Sequence, residues 1–262
     1  MDFTASERGP QKALVLTPRW GEPGERYPLL IALHGRGESN RGLDVGARGW
    51  TRDYYLDRAL ARLRHPPLSS NDLFGVASEA DLARLNESVR TKPFRGLVVV
   101  CPYTPDVLST PALDAAEPFA EFLIKNLLPR IRKDFPVETT AKATGIDGVS
   151  LGGRVAMLAG FSRIESFGAI GTLQAAVRTG EADAFAALAS RALKKSPLPM
   201  RILTSDRDPF RPTLEALAKG INAAGAKAEY ACVTGPHDYV FNQGPGSYEM
   251  LLWHDRMLRG DA

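Results

Sequence analysis

A serine framed by glycines, Gly148-Val149-Ser150-Leu151-Gly152, joins the strand-like run Ala143-Thr144-Gly145-Ile146-Asp147 to a helical pattern that reaches Phe161. The small residues let strand and helix backbones approach closely, so the serine hydroxyl projects from a sharp turn. The helix start behind it offers free N–H groups, that of Leu151 first, and the positive end of the helix dipole. Such a hydroxyl can act as a nucleophile if a base takes its proton. The competing reading is a glycine-rich turn carrying a bystander serine. Of four histidines, His237 stands in a loop, Gly235-Pro236-His237-Asp238-Tyr239, after the last strand-like run. There it can take the proton and return it to a leaving group. A carboxylate at the end of the run Met200 to Ser205 would orient that imidazole. Asp208, which precedes Pro209 and lies four before the helix-opening Pro212, is the first choice, and Asp206 is the alternative. His34 reads as a histidine that fixes its loop, and His254 as a packing or surface residue of the last helix. His65 falls in a segment with no chemical signal.

These side chains need elements to bring them together. Strand patterns cover Lys12 to Thr17, Tyr27 to Leu33, Gly96 to Pro102, Lys142 to Gly148, Phe167 to Thr172, Met200 to Ser205 and Lys227 to Thr234. Continuous runs such as Leu29-Leu30-Ile31-Ala32-Leu33 mark strands buried on both faces, as in parallel sheets covered by helices. Helix patterns alternate with them at Glu117 to Asp134, Leu151 to Phe161, Ala182 to Leu193, Pro212 to Ala224 and Ser247 to Arg259. The alternation predicts an α/β fold, a mostly parallel, doubly wound sheet with helices on both faces, in a single domain over residues 1–262. Residues 50–95 break the alternation and read as an excursion, lid-like or a plain solvent-facing insertion.

Bulk properties exclude several classes. A net charge of +3 in 262 residues, with scattered Lys and Arg, gives no case for a nucleic-acid partner. No apolar run approaches the roughly 18 residues of a membrane span, and Met1 to Arg8 has no signal-peptide core, so the expected location is cytoplasmic. A mature secreted domain would look the same. Cys101 and Cys232 both sit in apolar runs and read as buried free thiols, with one disulfide as the alternative and no metal-ligand company.

The order Ser150, Asp208, His237 is that of α/β-hydrolases. The chain resembles that superfamily, and within it the esterase branch of esterase D-like and feruloyl-esterase-like proteins. His34-Gly35-x-Gly37, Val98-Val99-Val100-Cys101-Pro102-Tyr103, Gly148-Val149-Ser150-Leu151-Gly152-Gly153, Gly235-Pro236-His237-Asp238-Tyr239 and the closing Trp253-His254 carry the likeness. It departs from the branch in lacking the glycine often found in the strand before Asp206. The resemblance implies a serine esterase working through an acyl-enzyme on a small-molecule ester, with neither metal nor organic cofactor. It implies an oxyanion hole from the N–H groups of Arg36 and Leu151. An acyltransferase or thioesterase on the same scaffold, or a noncatalytic binding relative, is the alternative. Arg36 could attract an acidic substrate group, pair with Glu38 or simply face solvent. Trp50, Tyr54, Tyr55 and Tyr239 could line an aromatic or sugar-bearing cleft or simply pack. Oligomeric state is not legible.

Overall fold

Strand β3 (Leu29–Leu33) is the axis on which the molecule is built, and all five of its residues are fully buried. The computed structural model describes residues 1–4, 9–110 and 112–261. Within it, β3 joins β1 (Asp2–Phe3), β2 (Gln11–Leu16), β4 (Val98–Pro102), β5 (Thr144–Gly148), β6 (Ala169–Leu173), β7 (Met200–Arg207) and β8 (Glu229–Pro236) in one sheet. The order is β1-β2-β4-β3-β5-β6-β7-β8. The β1–β2 and β2–β4 pairs are antiparallel, and every later pair is parallel.

Alternation along β3 shows why its residues are all apolar. Leu29, Ile31 and Leu33 join one core cluster, while Leu30 and Ala32 join the other. The first cluster is completed by helices Glu117–Phe122, Leu128–Asp134, Leu151–Ser162, Ala182–Lys195 and Arg211–Ala223. The second is completed by Leu56–Arg62, Glu79–Thr91 and Ser247–Met257. Helices therefore cover both faces, and neither face of β3 meets water. Each such leucine contributes about 1.5–3 kcal/mol of burial, which opposes displacement of the strand.

The chain passes from β3 to β4 on one side and later to β5 on the other. Loops leaving the carboxyl ends of β3 and β5 thus diverge and leave a crevice between them. The excursion at 50–95 contains the helices Leu56–Arg62 and Glu79–Thr91, whose Leu56, Leu60, Leu85 and Val89 pack into the second core cluster. Strand β1, only two residues long, gave no pattern in the sequence, and one sequence expectation needs correction. Cys232 is exposed, because β8 is the sheet edge; Cys101 is buried, and both thiols are free. Among the described residues, no helix is long and apolar enough to cross a membrane.

Candidate active site

Ser150 sits between β5 and the helix Leu151–Ser162 with φ 54° and ψ −113°. An L-residue adopts that conformation only when its surroundings over-determine it. Here the serine N–H donates to the Leu173 carbonyl at 2.9 Å, and the serine carbonyl accepts from Ala176 N–H at 2.9 Å and Arg154 N–H at 3.1 Å. The glycines are required by contact. A Cβ on Gly148 would stand 2.4 Å from the Gly152 carbonyl carbon, and one on Gly152 would stand 2.2 Å from the Leu33 oxygen.

His237 follows β8 and bridges two partners. Its Nε2 lies 3.3 Å from Ser150 Oγ, and its Nδ1 lies 2.8 Å from Asp208 Oδ1. With the Nδ1 proton donated to the carboxylate, Nε2 is left as the acceptor for the serine proton. Asp208 is buried, and its oxygens also accept from Thr204 Oγ1 at 2.6 Å and Phe210 N–H at 3.0 Å. The other candidate acid points elsewhere. Asp206 Oδ1 accepts from Gly235 N–H at 2.9 Å, so it braces the loop before His237 without touching the ring.

Arg36 opens the short helix Arg36–Ser39 after β3, and Leu151 opens the helix after Ser150. Neither backbone N–H donates to an acceptor among the described residues. The Arg36 guanidinium pairs with Asp106 at 2.8 Å rather than with Glu38. Glu38 is instead buried and accepts from Tyr54 and, at 2.9 Å, from Tyr239, whose oxygen accepts from Arg41 at 3.0 Å. Burial, then the charge of Glu38, pushes the Tyr54 hydroxyl well above its usual range; burial, then its bond to Glu38, raises that of Tyr239. Both phenols therefore stay protonated donors at neutral pH.

His34 has the loop-fixing place. Its Nε2 accepts from Thr104 N–H at 2.9 Å and its Nδ1–H donates to Gly35 O at 3.0 Å, while burial lowers its pKa and keeps the ring neutral. His65 is exposed in the excursion, apart from these residues. His254, expected to pack or face solvent, is fully buried with Nε2 on Asp147 at 2.9 Å, beneath the nucleophile strand. Trp50 is core, Tyr55 stacks on Phe74, and only Tyr54 and Tyr239 of the four aromatics reach the cleft. The Glu38 network went unseen because its partners are up to 201 residues apart. The only sequence signal was that Glu38 and Tyr239 each stand two residues beyond a proposed site residue.

A cleft of about 290 Å³ gathers Gly35, Arg36, Tyr54, Ser150, His237 and Tyr239 along its walls. A larger groove of about 700 Å³ lies at Pro199, Met200 and Glu229, where β7 and β8 begin. That is the opposite end of the sheet from the serine and histidine. Among the described residues, no group of three His, Cys, Asp or Glu side chains is placed to hold a metal.

Residues 99–199, which contain Ser150, match the family described as "Putative esterase". The chain has the α/β-hydrolase fold, and over those residues it is similar to that esterase family. No curated protein matches the sequence of this chain significantly. Its fold is shared with a solved ferulic acid esterase at 15% identity and TM-score 0.71, over 98% of this chain and 97% of the other. S-formylglutathione hydrolase of Staphylococcus aureus matches at 13% identity and TM-score 0.64, over 97% and 94%. A ferulic acid esterase of Anaeromyces mucronatus matches at 16% and 0.60, over 95% and 87%.

Proposed function

We propose that this protein is an esterase that cleaves a small carboxylic ester with Ser150 as nucleophile, His237 as general base then acid, and Asp208 as the carboxylate that orients the imidazole. The observation carrying this reading is the single imidazole that touches Ser150 Oγ with one nitrogen and Asp208 with the other. As His237 takes the hydroxyl proton, Ser150 Oγ attacks the ester carbonyl carbon and the carbonyl oxygen becomes an oxyanion. The N–H groups of Arg36 and Leu151 are the proposed donors to it, each contributing about 3–4 kcal/mol in sites of this type. Imidazolium then protonates the departing alkoxide, leaving an acyl-serine. Water, deprotonated by the same ring, attacks that ester and releases the acid. The alcohol leaves first and the acid second.

Residues 1–262 act in this reading as one domain, and the excursion at 50–95 serves the site by placing Tyr54 against the cleft. The cleft is at the small end of ligand sites, which supports a compact acyl or alcohol group. Its neighbours' names, ferulic acid esterase and S-formylglutathione hydrolase, give the panel to screen: acetyl, longer acyl, feruloyl and thiol esters. Reaction with a fluorophosphonate tests the nucleophile directly. The wild-type chain should label stoichiometrically and hydrolyse a simple aryl ester, and Ser150→Ala should do neither while melting as a folded protein. Labelling that persists in Ser150→Ala removes Ser150 from the role.

A further inference from the structure

One fully buried polar residue beside the site takes no part in the steps above. Gln174 directly follows β6 with φ 45°, a left-handed backbone that a long side chain adopts only under constraint. Its backbone N–H donates to Leu203 O at 2.7 Å. Its Nε2 donates to Ser205 Oγ at 2.6 Å and to the Pro236 carbonyl at 2.8 Å. A carbonyl only accepts, so the amide nitrogen must face Pro236 and the orientation of the side chain follows. Its Oε1 is buried and accepts no hydrogen bond from the described residues.

We propose that Gln174 is a positioning residue that sets the separation between Ser150 and His237. The inference rests on the roles given to those two residues above. Pro236 shares a peptide plane with His237, so holding the Pro236 carbonyl holds the plane from which the imidazole departs. The residues on either side of Gln174 grip the other reactant: Leu173 O receives the Ser150 N–H, and Ala176 N–H donates to the Ser150 carbonyl, both at 2.9 Å. One short segment therefore grasps the nucleophile by its backbone and the base loop by a side chain. Core filling alone would not explain it. An apolar residue fills the same volume without an orphaned oxygen, and a left-handed backbone gains nothing from a glutamine. What the amide adds is the donor to Pro236. The contact it protects is a long one, 3.3 Å from ring to hydroxyl, and drift of about 1 Å in a reacting pair can cost on the order of 10²-fold in rate.

The test uses Gln174→Met, which keeps length and bulk but has no donor. Kinetics on an aryl ester are measured per folded molecule, with folding followed by circular dichroism. The expected result is a fall in kcat of at least about 10-fold with KM within about two-fold. The rate of fluorophosphonate labelling should fall in parallel, because that step and deacylation both need His237. A lower melting temperature with unchanged kcat and labelling rate would mean that Gln174 only packs, and would overturn the proposal. If the methionine variant does not fold, Gln174→Asn reads the same quantity: asparagine suits a left-handed backbone but is one methylene short of Pro236. Wild-type kinetics in Gln174→Asn would likewise overturn the proposal. A wild-type chain inert to the fluorophosphonate would sink the esterase roles themselves, a different failure from a reactive wild type matched by its Gln174 variants.

Discussion

Ser150 and His237 are 87 residues apart in the chain and in contact in the fold. Their types were legible because each carries its own local signature: glycines two residues either side of the serine, and a post-strand Gly-Pro before the histidine. The choice between Asp206 and Asp208 was harder, since both end the same strand. The fold separates them by direction, one onto the imidazole and one onto the Gly235 backbone. Asp208→Asn should therefore lower kcat by about 10³–10⁴-fold, because an amide favours the wrong imidazole tautomer. Asp206→Asn keeps an oxygen that can accept from Gly235 N–H, so its kcat should stay within about three-fold of wild type. Kinetics on both variants with one aryl ester decide the matter, and a larger loss from Asp206→Asn would reverse the assignment. Gln174 and the Glu38–Tyr239 bond had no such signature. Each is defined by partners distant in sequence, and Gln174 also by a backbone angle, and neither quantity is written in residue type.

At the level of elements, strand and helix centres could be read from apolar periodicity, while ends and very short pieces could not. The run expected to be one helix from Glu117 to Asp134 keeps its course but contains a wider turn, Leu123–Leu127, before Leu128 and Pro129. Proline lacks the N–H that would continue the regular ladder, which accounts for the irregularity. The 50–95 excursion resisted reading for another reason: its apolar residues complete a core whose other half comes from the C-terminal helix. One tight joint between elements is that of β3 with the helix after Ser150. Gly152→Ala places a methyl against the Leu33 carbonyl, where its nearest neighbours are Leu33 and His34 backbone atoms and no flexible side chain can yield. Loss of about 2 kcal/mol or more in denaturant unfolding is expected, with reduced activity because the Leu151 N–H moves with the helix. Near-wild-type stability would mean that the helix can slide on the sheet.

For the molecule as a whole, acid is a predictable threat. Burial lowers the pKa of both His34 and His254 below the ordinary histidine value, so the unfolded chain binds protons that the native one refuses. Their contribution to stability is complete above the unfolded pKa of about 6.5 and is lost as pH falls toward the depressed native values. Each adds a slope of up to about 1.4 kcal/mol per pH unit in that window. Urea unfolding between about pH 8 and pH 5 should show it, and His254→Gln should flatten the curve. Parallel curves for variant and wild type would mean that His254 carries no part of the acid sensitivity.

The contorted peptide at Ser150 sets a trade between durability and turnover. A glycine there would relax into the same angles that a side chain resists, releasing on the order of 1 kcal/mol. Ser150→Gly should consequently melt about 2–4 °C above Ser150→Ala, although both lack the hydroxyl. Measured side by side by calorimetry, that gap would report the tension under which the wild-type molecule holds its reactive alcohol. Heat resistance would then be among the things this protein forgoes by having a serine at that corner.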